Sequence, residues 1–221
     1  MGVFEFLQLY WPRLLSGAWI TVLVFFCSTV LSVALAICAG LSKLSRARLL
    51  RVVASCYIEL FRGTSLLVQL YWIFFVLPLF GLTIGKFEAG VLAVGLNLGA
   101  YGAELVRGAI VAVPKGQWEA ATALNMSPIQ RMRRVIIPQA LVISLPMWGN
   151  LLIELLKATA LVSLISVTDI MFQAKQINGL TFLSAQSFGL ALVIYYVMAR
   201  FLLTPGMRFL ERRLRSKLGR G

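Results

Sequence analysis

The sequence predicts an all-α integral membrane protein with five transmembrane helices, and three observations carry that reading. Of the 221 residues, 60% are hydrophobic and only 13% charged, against roughly 45–50% and about 25% in an average soluble domain. The apolar residues gather in five runs close to the ~20 residues that a helix needs to cross a bilayer. Most basic residues stand beside those runs rather than inside them.

The net charge of +13 suggests nucleic acid in a soluble protein, but no folded basic domain exists here to present it, and nucleic acid is excluded as a partner. Three clusters adjoin apolar runs: Lys43, Arg46, Arg48 and Arg51; Lys115, Arg131, Arg133 and Arg134; and Arg208, Arg212, Arg213, Arg215, Lys217 and Arg220. Membrane lipid is their nearest anionic neighbour. The three cysteines form no framework. Cys27 and Cys38 lie 11 residues apart in one run, roughly 16 Å along a helix and too far to bridge.

The elements follow in order. Residues 1–15 read as an extracytoplasmic segment. Residues 1–12 lack the positive start of a cleaved signal peptide, so the run at 16–40 is a retained first helix. The second span is 64–80, with a helical lead-in from Leu49 to Phe61. The third is 88–112, the fourth 140–166 and the fifth 186–206. Residues 16–207 thus form one transmembrane domain, with a cytoplasmic loop at 114–138 and a basic cytoplasmic tail at 208–221. Five spans put all three basic clusters on one side and leave Arg13, Lys86 and Lys175 on the other. The positive-inside rule then places the N-terminus outside and the C-terminus in the cytoplasm.

The loop is the chain's main polar break. Gly116 is expected to end the preceding helix. Trp118 to Leu124 reads as a short helix, with Glu119 in its first turn where negative charge suits the dipole, and Ala120 and Ala121 keeping one face small. Asn125 tolerates the left-handed backbone that ends helices. Ser127, Pro128 and Gln130 have the pattern of a capping box with proline at the first helical position. Helix, turn, helix follows. Two readings stand at this point: an amphipathic connector on anionic lipid, or a docking element for a cytoplasmic subunit.

Charge at membrane depth is costly and marks functional candidates. Three pairs at i, i+3 occur, Glu59/Arg62, Glu104/Arg107 and Glu154/Lys157, and each can neutralise itself on one helix face. They either compensate one another within the bundle or line a substrate route. Gly95, Gly99 and Ala103 form a small-residue face suited to close helix packing, and Asn97 beside them either bonds a neighbour or faces the route. Catalytic chemistry is absent. Without histidine there is no H-E-x-x-H metal site and no Ser-His pair, and no phosphate-binding G-x-x-x-x-G-K-[ST] loop occurs. An ion-gradient carrier and a membrane-embedded enzyme are the rival classes. The first needs no ATPase partner. The second needs a convergent acid, base or nucleophile set.

Four stretches resemble permease subunits of ATP-binding cassette (ABC) importers. Glu119-Ala120-Ala121, then Asn125 where that family has glycine, then Val135-Ile136-Ile137-Pro138 resembles its cytoplasmic loop. "ELFRGTSLLVQL" (59–70), "AYGAELVRGAIVAVPKGQWEAA" (100–121) and "PMWGNLLIELLKATALVSLI" (146–165) resemble segments of the branch that imports polar amino acids and small zwitterions. The resemblance implies the type I importer permease fold and a coupling role for Glu119, Ala120, Ala121, Leu124, Asn125 and Pro138. It implies two ABC ATPase subunits that bind ATP and Mg, a second permease subunit and an extracytoplasmic substrate-binding protein, with no cofactor in this chain. Glu104, Asn97, Asn150, Glu154, Lys157 and Thr159 are the expected pathway residues. Glu154 is unusual for the family and suggests a preference for positively charged substrate. Polar amino acids come first as substrate class and compatible solutes such as ectoine second. The location is the inner membrane.

Overall fold

A computed structural model describes residues 3–218. Met1, Gly2 and 219–221, with Arg220 of the expected tail, lie outside the described residues.

Among the described residues the chain is helical almost throughout. Helix α1 runs from Val3 to Lys43, and α2 from Arg48 to Gly63. Helix α3 (Leu66–Tyr71) continues through a wide π turn (Trp72–Val76) and a tight turn to Phe80. Helix α4 spans Lys86–Val111, α5 Lys115–Ala123 and α6 Pro128–Arg131. A second π turn (Met132–Ile136) leads into α7 (Ile137–Ala158), which tightens into a 3₁₀ segment to Ile165. Helices α8 (Ile170–Thr181), α9 (Ser184–Val197) and α10 (Thr204–Leu218) complete the chain, with a third π turn at Met198–Leu203. Four runs are long and apolar enough to cross a membrane, and the bent pair α2–α3 makes a fifth.

The three π turns share one cause. Pro78, Pro138 and Pro205 each stand two residues beyond one of them. Proline lacks an amide hydrogen and its ring clashes with the carbonyl four residues back. A widened turn there relieves the clash and keeps the helix continuous.

Helix boundaries differ from expectation at several places. The first helix begins at Val3 instead of 16, because Phe6 and Leu14 are buried against Ile177, Leu183 and Leu190 and hold the first turns. The second span and its lead-in are two helices bent by 105° at residues 64–65. The run expected at 140–166 starts at Pro128 and includes Pro138. The tail is helical from Thr204 to Leu218 and continuous with the fifth span. Helix α8 is an element that the hydropathy pattern did not indicate. Asp169 caps it, accepting from the Phe172 amide at 2.9 Å.

The core is built by α4 against α1. Lipid is as apolar as a leucine side chain, so helices in a membrane associate through close packing more than through the hydrophobic effect. Small residues allow that approach. A Cβ on Gly95 would lie 2.6 Å from Leu31, and one on Gly99 2.8 Å from the Tyr57 hydroxyl. Gly102 meets Ala36 and Trp148 in the same way, and Ala103 is fully buried. Val24, Val94, Leu98, Leu155 and Val162 fill the centre beside this seam.

Candidate functional site

The residues of the 114–138 loop form a compact unit. Helix α4 ends at Val111, and the helix restarts at Lys115 after Pro114. Gly116 therefore lies inside α5 and does not end α4. Glu119 falls in the second turn, so the dipole argument does not apply to it. Asn125 adopts φ 52°, the left-handed conformation. The Met126 amide donates to the Ala121 carbonyl (3.1 Å) and the Asn125 amide to Thr122 (2.9 Å), the paired bonds of a Schellman ending. Ser127 and Gln130 close a reciprocal capping box. Arg131 then ties the two helices. Its guanidinium donates to the Thr122 hydroxyl at 2.9 Å and lies over the Trp118 ring at 5.4 Å. Gln139 reaches back to Gln117 at 3.0 Å.

This bracing leaves a defined outer surface. Glu119 and Ala120 are exposed, and Leu124 and Ile129 are 76% and 78% exposed. Ala121 is 2% exposed and packs inward. Pro138 is half-buried at the start of α7. Two large apolar side chains held out beside an acidic residue make a surface that a protein groove can take up.

The pathway candidates divide by burial. On α7, Gln139, Ile143, Pro146, Asn150, Glu154 and Lys157 share one helix face, and all but Gln139 are exposed. Glu154 and Lys157 pair at 2.9 Å, each 63% exposed. A charged pair on a membrane-spanning helix is costly against lipid, so this row calls for water or another polypeptide. Beside it lies a cleft of about 210 Å³ between α7 and α10, with Asn150, Thr204, Arg208 and Glu211 in its walls.

Glu104, Asn97 and Thr159 are engaged within the chain, away from that row. The Glu104 carboxylate bridges Lys43 (2.5 Å) and Arg107 (2.8 Å), joining the ends of α1 and α4. Thr159 is fully buried and donates to the Leu156 carbonyl at 2.7 Å. Asn97 donates to the Phe61 carbonyl (2.9 Å) and to Gln69 (3.0 Å), while Gln69 donates to the Thr64 hydroxyl (2.6 Å). The break between α2 and α3 frees backbone carbonyls where water is scarce, and these two amides satisfy them. The Glu59/Arg62 pair does not close, and Arg62 instead lies 5.2 Å from the Tyr101 ring centroid. Gln69 and Arg208 were missed from the sequence. Their neighbours come from other helices, and a lone glutamine in an apolar run was the available signal.

A second polar knot lies between the fourth and fifth spans. Asp169 is fully buried, and the Tyr195 hydroxyl donates to it at 3.0 Å. Burial pushes the Asp169 carboxyl up to about 6. Thr21 on α1 accepts from the Ile170 amide at 3.2 Å, so α1, α8 and α9 meet at this point.

Comparison with known proteins agrees with this architecture. Residues 32–216 match the family model described as the binding-protein-dependent transport system inner membrane component. A probable amino-acid ABC transporter permease protein of Sinorhizobium fredii is 44% identical over 88% of this chain and 84% of its own. The L-cystine transport system permease protein of Bacillus subtilis is 38% identical over 94% of this chain and 88% of its own. A solved structure titled as an amino acid ABC transporter with histidines superposes with a TM-score of 0.89 at 38% identity, covering 96% of this chain and 99% of that one. With the family model matched over residues 32–216 and these relatives matched over most of both chains, the chain belongs to the family of inner-membrane components of binding-protein-dependent transport systems.

Proposed function

We propose that the chain is the permease subunit of an ATP-driven importer of polar amino acids. The exposed row Asn150, Glu154 and Lys157 on α7 carries the reading. It is a polar face on a membrane-spanning helix, and a water-filled route shared with a second permease subunit, identical or homologous, accounts for it. The gathering of basic residues at one end of the helices supports an N-terminus outside and a C-terminus in the cytoplasm. The loop surface of Glu119, Ala120 and Leu124, fixed from within by Ala121, Asn125 and Pro138, docks on an ABC ATPase. Two such subunits bind the ATP and Mg, and an extracytoplasmic binding protein delivers substrate. The names of the relatives support amino acids over compatible solutes such as ectoine.

Glu154 tunes this route toward substrates with positive charge. Uptake by vesicles carrying the assembled importer tests it. Glu154→Gln should lower uptake of arginine or lysine by roughly tenfold relative to neutral amino acids, the factor that ~1.4 kcal/mol of lost attraction produces. An unchanged substrate ranking rejects the role for Glu154. Ectoine as the preferred substrate rejects the amino-acid class.

A further inference from the structure

The cleft of about 210 Å³ between α7 and α10 opens beside the polar row and shares Asn150 with it. On α10, Thr204, Met207, Arg208 and Glu211 recur at helical spacing, so one helix face turns all four toward the cleft. Its polar groups have capacity to spare. Among the described residues, the side chains of Asn150 and Arg208 have no hydrogen-bond or ion-pair partner. The Thr204 hydroxyl donates to the Ala199 carbonyl at 2.9 Å, which leaves its oxygen able to accept. A carboxylate accepts several donors at once, so Glu211 has room for a further one.

Charge and size select the ligand. Arg208 and Glu211 stand three residues apart on one face, and their charges cancel. A lone cation or a lone anion gains at one of them and loses at the other. A small molecule that carries both an anionic group and an ammonium gains at both. The volume lies below the roughly 300 Å³ at which sites for drug-sized ligands begin. A free α-amino acid has this charge pattern at this scale. The headgroup of a zwitterionic phospholipid has the same pattern, but continuity with the polar row through Asn150 favours the free amino acid.

We propose that this cleft binds a free α-amino acid in its zwitterionic form, with the carboxylate at Arg208 and Asn150 and the ammonium at Glu211 and Thr204. Ile153 and Met207 form the apolar wall for its side chain. With the C-terminus in the cytoplasm, the cleft takes up substrate that has left the route. Amino acids reach this face only on the transport reading, on which the assignment rests.

Met207 supplies the readout. The assembled importer, isotope-labelled in its methionine methyl groups, is held in lipid nanodiscs and followed by NMR, and Met207→Leu identifies the Met207 signal. Alanine should shift that signal saturably without ATP or binding protein. Propionate and ethylamine each carry one half of the charge pattern and should bind about tenfold more weakly, which corresponds to ~1.4 kcal/mol. Arg208→Gln and Glu211→Gln should each weaken alanine by a similar factor. If these variants do not insert, the three ligands compared on the native chain decide alone. No saturable shift means that Arg208 only snorkels to the interface and overturns the site. Equal binding of propionate and alanine removes Glu211 from it and overturns the zwitterion. Tighter binding of glycerophosphoethanolamine than of alanine marks a lipid headgroup site and overturns the amino acid. A saturable alanine shift in an assembly without ATP-driven uptake upholds the cleft and rejects the transport reading, and uptake without a shift does the reverse.

Discussion

At the scale of single residues, the loop contains two alanines with opposite surroundings. Ala120 is exposed and Ala121 is 2% exposed. On the proposed docking, a bulky side chain at Ala120 meets the ATPase, while one at Ala121 meets its own chain. Ala120→Trp should leave the subunit inserted and uncouple ATP hydrolysis from uptake. Ala121→Trp should instead cost roughly 1–3 kcal/mol by overpacking and reduce the amount of folded subunit. Thermal stability in detergent beside stimulated ATPase activity separates the two, and equal stability of both variants contradicts the assigned burial. Asp169 makes a pH prediction. Its carboxyl stands at about 6 against an ordinary 3.8, so the folded chain binds this proton more tightly than the unfolded one. The resulting stability is complete below the ordinary value and is lost as pH rises through about 6. Native melting temperature measured against Asp169→Asn should therefore fall between pH 4 and pH 7, and a constant gap rules the idea out.

At the scale of elements, the break between α2 and α3 depends on two buried amides. Asn97→Leu removes one of the two donors to the Phe61 carbonyl, the other being Gln69, and leaves the Gln69 amide oxygen without its partner. Stranding such groups costs about 1–3 kcal/mol, and the variant should unfold at a correspondingly lower temperature. A melting point equal to the native one would show that water reaches the break. Local chemistry was legible in the sequence here and distant chemistry was not. Ser127, Pro128 and Gln130 specify a cap within four residues, and the cap forms as read. The third span was readable to within two residues at its start, since an apolar run extends from Ala89 to Leu96. Helix α8 escaped because twelve residues of mixed polarity show no span, although Asp169 ahead of Ile170 is a capping signal. The early start of α1 is a tertiary effect. Polar residues at Glu5 and Gln8 broke the hydropathy pattern, and burial of Phe6 and Leu14 sustains the helix regardless.

At the scale of the whole molecule, burial sorted the candidate site in a way that residue type did not. Glutamates at 104 and 154 carry the same charge and the same i+3 partner pattern. One ties α1 to α4 and the other lies 63% exposed on α7. Only the packing of the bundle separates a strut from an exposed group. The molecule that results has a polar face, a braced loop and an apolar back. The most direct measurement is amino-acid uptake by vesicles carrying this permease with its ATPase and binding protein. Uptake should require internal or external ATP on the ATPase side and the binding protein on the other, and should vanish in Ala120→Trp while ATP hydrolysis continues. Accumulation driven by an ion gradient without the ATPase, or full uptake by Ala120→Trp, would contradict the account.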